Sequence, residues 1–78
     1  MLILYVRTGC PYCAAVKKVV DELELAVEEK NIEDPAVLAE LMEKGGKRQE
    51  PYLIDTERGV SMYESDDIIQ YLRKYYAI

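Results

Sequence analysis

The 78-residue chain has no histidine, tryptophan or phenylalanine, only two cysteines, and no long apolar run. A zinc site within one chain needs four Cys or His ligands, and here there are two. A bridge between Cys10 and Cys13 would close too small a loop to restrain the unfolded chain, so a structural staple is not expected. Nothing approaches the roughly 20 apolar residues of a membrane span. The apolar start, Met1 to Val6, lacks the basic stretch and cleavage site of a secretory signal. A reducing cytoplasmic setting follows as the expectation, with no membrane partner. Basic residues are also scarce, 10 against 15 acidic ones, and the net charge of −5 argues against nucleic acid as a partner. No repeat, linker or low-complexity segment stands out.

Half of the residues are apolar, which fits one globular domain over residues 1–78 and excludes a disordered acidic tail. The charge is unevenly spread. Residues 1–20 carry Arg7, Lys17 and Lys18 and no acid, whereas residues 21–43 carry nine acids against Lys30. Lys44, Lys47 and Arg48 form a second basic stretch. The expectation is a locally positive rim on an acidic body, with the acidic block lying away from the rim.

Leu2 to Val6 is a continuous apolar run rich in strand formers, as in a buried central strand. Pro11 suits a first helical turn, and Val16, Val19, Val20 and Leu23 then recur at helical spacing. Ala26 to Ile32 reads as a second strand, placed at an edge by Glu28-Glu29-Lys30. Asp34-Pro35 opens a second helix with Val37, Leu38, Leu41 and Met42 on its apolar face and Gly45 at its end. Pro51 to Asp55 and Val60 to Glu64 form an antiparallel hairpin. Ser65 is expected to cap a last helix that buries Ile68, Ile69, Leu72 and Tyr76. Its acids, Asp66 and Asp67, stand at the start and its bases, Arg73 and Lys74, near the end. The order is β-α-β-α-β-β-α, giving a four-stranded mixed sheet with helices on both faces.

Cys10-Pro11-Tyr12-Cys13 lies where the first strand passes into the first helix. Cys10 falls at the helix N-cap, where unpaired N–H groups and the helix dipole favour a thiolate over a thiol. Arg7 and Lys17 add to the positive field. Cys13 sits one turn further in, on the stripe with Val16 and Val20, and should be more buried and less reactive. The pair therefore divides into an attacking Cys10 and a resolving Cys13. Pro11 rigidifies the bend, and Tyr12 faces outward. Tyr71, Tyr75 and Tyr76 are expected to pack the last helix, leaving Tyr12, Tyr52 and Tyr63 as the tyrosines suited to a binding surface. A metal or cluster shared between two chains stays open.

The stretch from Tyr5 to Cys13 resembles the active-site segment of dithiol glutaredoxins, with Arg7 where that family usually has Lys. The element order is similar to the small thioredoxin-like fold over the whole chain. The resemblance implies that Pro51 is the family's cis-proline, with Arg48 as the upstream basic residue that meets a glutathione carboxylate. It implies that Glu50 binds the cysteinyl part of glutathione through its backbone. Glu64-Ser65-Asp66-Asp67-Ile68 is similar both to the glutaredoxin glutathione site and to the N-terminal domain of glutathione transferases. Both hold the γ-glutamyl end of glutathione there. Gln49-Glu50 departs from the usual Thr-Val and puts a negative charge close to the expected thiolate.

The resemblance thus implies a glutathione-dependent thiol–disulfide oxidoreductase, catalytic through Cys10 and Cys13, with Pro11, Tyr12 and Pro51 shaping the turn. Arg7, Tyr12, Arg48, Glu50, Pro51, Ser65 and Asp66 are the expected glutathione contacts. It implies no bound metal or organic cofactor, glutathione as reducing co-substrate, disulfide-containing or glutathionylated proteins as substrates, and a monomer. The alternatives are a thioredoxin-like hydrogen donor reduced by a flavoprotein reductase, or a glutathione-binding or iron–sulfur-carrying module.

Overall fold

The computed structural model describes residues 1–77. Its elements are β1 (Leu2–Val6), α1 (Pro11–Glu22), β2 (Val27–Asn31), α2 (Pro35–Gly45), β3 (Tyr52–Asp55), β4 (Val60–Met62) and α3 (Ser65–Tyr76). The strands lie in the order β2-β1-β3-β4. β1 and β2 are parallel, while β3 is antiparallel to both β1 and β4. This is the mixed, thioredoxin-like sheet that the pattern of elements predicts, and the acidic β2 is an edge strand.

The unbroken apolar run of β1 follows from burial on both faces. Leu2, Leu4 and Val6 point to one side and pack with Leu53, with Cys13, Val16 and Val19 of α1, and with Ile68 and Leu72 of α3. Tyr5 points to the other side and packs with Tyr52, Ile32 and Leu41 of α2. The sheet thus has two helices on one face and one on the other. Because β1 is central and buried, the loop after Val6 leaves from the middle of the sheet edge, and that loop carries the cysteines.

Several local expectations change. Gly45 remains helical, and the left-handed cap of α2 is Gly46, with φ 80°. Gly45 is needed for another reason: the Tyr63 hydroxyl and ring fill the space that a side chain at position 45 would take. Ser65 does not cap α3 but is its first residue; the flanking residue is Glu64, whose side chain makes no capping bond. That carboxylate instead accepts from the Gln49 amide at 3.1 Å. Met42 is exposed, so Leu41 is the residue that anchors α2. Tyr71 is buried and Tyr75 exposed, whereas Tyr52, expected near a surface, lies in the core.

Asp55 is fully buried, and no signal in the sequence marks it. Its Oδ2 accepts from the Tyr71 hydroxyl at 2.6 Å and the Tyr76 hydroxyl at 2.5 Å. Its Oδ1 accepts the Glu57 N–H at 3.1 Å, and Arg58 Nε stands 3.7 Å from Oδ2. Burial pushes this carboxyl up, but the hydroxyl and N–H donors outweigh it and hold it below the usual carboxylate value. The cluster fastens α3 to the end of β3. Among the described residues, no helix is long and apolar enough to cross a membrane.

Candidate active site at the start of the first helix

Cys10 is the N-cap of α1, in extended conformation, with Pro11 at the first helical position. Its N–H donates to Arg7 O at 3.2 Å, which closes the turn out of β1, and its carbonyl accepts the Ala14 N–H at 3.1 Å. The Cys13 N–H donates to Cys10 Sγ at 3.2 Å. A donor aimed at this sulfur, at the positive end of the helix dipole, stabilises negative charge on it. Both residues are free thiols, 6% and 2% exposed. Burial in the core beneath α1, reinforced by the neighbouring Cys10, pushes the Cys13 thiol up to about 12. The two sulfurs are therefore unlike: one is served by a backbone donor at the helix end, and the other is kept protonated in the apolar interior.

Two cavities flank this turn. One, of about 380 Å³, is lined by Arg7, Cys10, Pro11, Cys13, Lys17 and Asn31, among others. Thr8 Oγ1 accepts from the Asn31 amide at 2.9 Å and ties the cysteine loop to the end of β2. The other, of about 560 Å³, lies beyond Tyr12 and is lined by Tyr12, Glu50, Pro51, Ser65 and Asp66. Gln49, Tyr63, Glu64 and Asp67 complete it. The Glu50–Pro51 peptide bond is cis. Tyr12 is 65% exposed at the rim.

Most of the residues singled out in the sequence thus stand around one turn, but the basic ones are placed differently from the expected rim. Arg7 Nε donates to Glu50 Oε1 at 2.5 Å, and this partner raises the guanidinium pKa above its ordinary value. Lys17 pairs with Glu29 at 3.2 Å, so one member of the acidic block reaches the cysteine cavity. Arg48 is exposed and lines neither cavity. Lys47 holds its ammonium 5.0 Å from the Tyr63 ring centroid. The positive rim is thus partly neutralised: Arg7 and Lys17 each meet an acid from another segment, while Lys47 and Arg48 make no ion pair among the described residues.

Tyr63, one of the tyrosines suited to a binding surface, and Asp67, in the segment similar to the glutathione site, also line the larger cleft, as does Gln49, for which no contact was expected. The Gly45-Gly46 pair is a further signal for Tyr63: two adjacent glycines, where one suffices to end a helix, imply a close approach at the other, and Tyr63 fills that space. The Tyr63 hydroxyl donates to Lys47 O at 2.8 Å and accepts the Lys47 N–H at 3.1 Å, which holds the loop leading to Pro51.

Residues 4–77 match the family described as "Glutathione S-transferase, N-terminal domain". A comparison with curated protein sequences found no match. Among solved structures, a glutathione S-transferase from the Antarctic clam Laternula elliptica superposes with a TM-score of 0.80 at 28% identity, over 96% of this chain and 35% of that one. Glutathione transferase E6 from Drosophila melanogaster gives 0.79 at 31% identity, over 99% of this chain and 36% of its own. The thioredoxin-like protein BC3987 gives 0.78 at 22% identity, over 92% of this chain and 99% of its own, a likeness of fold. The chain spans little more than a third of the length of the solved transferases that it matches. With the family match running through both the cysteine turn and the start of α3, the chain belongs to the glutathione S-transferase N-terminal domain family.

Proposed function

We propose that this chain is a glutathione-dependent thiol–disulfide oxidoreductase of the dithiol glutaredoxin type, folding as one unit over residues 1–78. The observation that carries this reading is the asymmetry of the cysteines. Cys10 Sγ accepts an N–H at the start of α1, while Cys13 is buried and kept protonated. In the proposed reaction the Cys10 thiolate attacks a substrate sulfur and forms a mixed disulfide. Cys13 then displaces the reduced substrate and closes a Cys10–Cys13 disulfide, or glutathione resolves a glutathionylated Cys10 directly. Two further glutathione molecules return the disulfide to the dithiol and leave as oxidised glutathione.

Glutathione fits the cleft beyond Tyr12. Its γ-glutamyl carboxylate would meet the first turn of α3, which no side chain caps, and its ammonium would meet Asp66. Its cysteinyl part would run along the backbone of Glu50 and Pro51 towards Cys10. Disulfide-bearing or glutathionylated proteins are the proposed substrates, in the cytoplasm, with the enzyme acting as a monomer.

Cys10→Ser is expected to abolish reduction of a glutathione mixed disulfide, and Cys13→Ser to retain much of it. Equal loss in both variants, or activity in Cys10→Ser, would contradict the assigned roles. A second reading is favoured by one observation: Arg7 is occupied by Glu50, and Arg48 lines neither cavity, so among the described residues no cation inside the cleft awaits the glycyl carboxylate. On that reading the chain is a thioredoxin-like donor reduced by a flavoprotein reductase. Following NADPH oxidation with glutathione and glutathione reductase, and then with thioredoxin reductase, separates the two.

A further inference from the structure

We propose that the dithiol acts on disulfides carrying a positive charge beside the sulfur–sulfur bond, and that Glu50, through its hold on Arg7, sets this preference. This rests on the thiol–disulfide reading above and narrows its substrate. Arg7 and Glu50 come from the two loops that border the cysteines, and their side chains meet. Arg7 lines the cavity that opens on Cys10 and Cys13, and Glu50 lines the neighbouring cleft. The ion pair is therefore the partition between the two spaces.

Its members are not equally free to move. The Glu50 side chain is 14% exposed and that of Arg7 48%. An anionic substrate arm reaching Arg7 must displace this carboxylate and leave it largely buried without its partner, which is unfavourable. Lys17, the other cation of the cysteine cavity, is held by Glu29. In the cleft, Glu64, Asp66 and Asp67 have no ion-pair partner among the described residues. The nearby Lys47 ammonium lies over the Tyr63 ring, and the dipole of α3 offsets only part of the negative charge. The site thus offers carboxylates to an incoming cation and an already engaged guanidinium to an incoming anion. Such complementarity acts on encounter and selectivity.

The chemistry balances within the dithiol. The Cys10 thiolate attacks one sulfur of RSSR, forms the mixed disulfide and releases one RS⁻. Cys13 loses its proton and attacks Cys10 Sγ, and the second RS⁻ leaves. The two thiol protons, passed through solvent, end on two RSH, while two electrons leave the protein and a Cys10–Cys13 disulfide remains.

The test uses the pre-reduced full chain in single turnover, without glutathione. The substrates are cystamine with two ammonium groups, neutral bis(2-hydroxyethyl) disulfide, and 3,3′-dithiodipropionate with two carboxylates. Oxidation is followed by acid quench and mass, and each rate is divided by that of free dithiothreitol to remove intrinsic reactivity. The normalised rates should fall in the order cationic, neutral, anionic, with about tenfold between the ends at low salt. Glu50→Gln releases Arg7 and should raise the anionic disulfide relative to the cationic one. Arg7→Gln leaves Glu50 unpaired and should do the reverse. A flat series, an anionic substrate in first place, or shifts of the same sign in both variants overturns the proposal. Failure to oxidise with any of the three overturns the thiol–disulfide reading with it. Failure of glutathione to reduce the oxidised protein would count against glutathione alone and leave a correct charge order standing.

Discussion

Two carboxylates bracket β3, and they do opposite work. Asp55, at its far end, is sealed from water and receives two tyrosine hydroxyls and an N–H. Glu50, just before its start, has one guanidinium as partner, and that partner is half exposed. A buried carboxylate held by three hydrogen-bond donors and closed off from water is not open to a ligand, and its energy goes into holding α3 on the sheet. A carboxylate with one exchangeable partner, between two cavities and beside two thiols, contributes little to the fold and much to what the site admits. Complete satisfaction marks structure, and an exchangeable contact marks function.

The contrast breaks most visibly at Asp55. Asp55→Ala removes the acceptor of two buried hydroxyls, and a loss of about 3 kcal/mol is expected. Urea denaturation would measure it, while the single-turnover rate of the folded fraction should hardly change. Asp55→Asn keeps an acceptor and should lose less. The depressed Asp55 carboxyl also fixes a sign with pH. Its contribution is complete above the unfolded value of about 3.9 and is lost as acid titrates the folded form, so Asp55→Asn should flatten the acid limb of the stability profile.

Next in size is Gly45. Gly45→Ala drives a methyl group into Tyr63, whose ring is packed at a tilt against Tyr52 with centroids 4.4 Å apart and cannot easily yield. A loss of about 1–3 kcal/mol is expected. Unlike the loss at Asp55, it should come with a higher KM for glutathione, because Tyr63 walls the cleft.

A smaller effect belongs to Cys13. Its folded value is raised, so its contribution is full below the unfolded value of about 8.5 and declines as pH rises towards the folded one. Thermal melts of the dithiol form should therefore lose stability from about pH 8.5 upwards, before the tyrosines titrate near 10. The Cys10–Cys13 disulfide form should not show this decline. Smaller still should be the loss in Arg7→Gln, which leaves the largely buried Glu50 carboxylate without its partner, and smallest that in Glu50→Gln, while their substrate preferences move in opposite directions.

What could be read in the sequence follows the same division. The cysteine turn, the strand before it and the stripe after it are contiguous, so their pattern survives in one dimension. The cis-proline and the ligand role of the start of α3 come from the resemblance, while the start of the helix itself is read from its acids and apolar stripe. The contacts that tune the site were not readable. Arg7 and Glu50 are 43 residues apart, and Gln49 and Glu64 are 15 apart. Arg7, Glu50 and Glu64 stand out singly by resemblance, but which residue meets which is hidden until the sheet order brings the loops together. Asp55, beside the turn of a hairpin, looks like a turn residue, and only Tyr71 and Tyr76 arriving from α3 make it a core group. The basic rim failed for the same reason: local charge counts do not see partners from distant segments.

Glutathione as the reductant is tested most directly by mixing the Cys10–Cys13 disulfide form with millimolar glutathione, quenching with acid at intervals and weighing the intact chain. A glutathione adduct confined to Cys10, giving way to the free dithiol, is the predicted result. A chain that stays oxidised under glutathione yet is reduced by thioredoxin reductase and NADPH would contradict it.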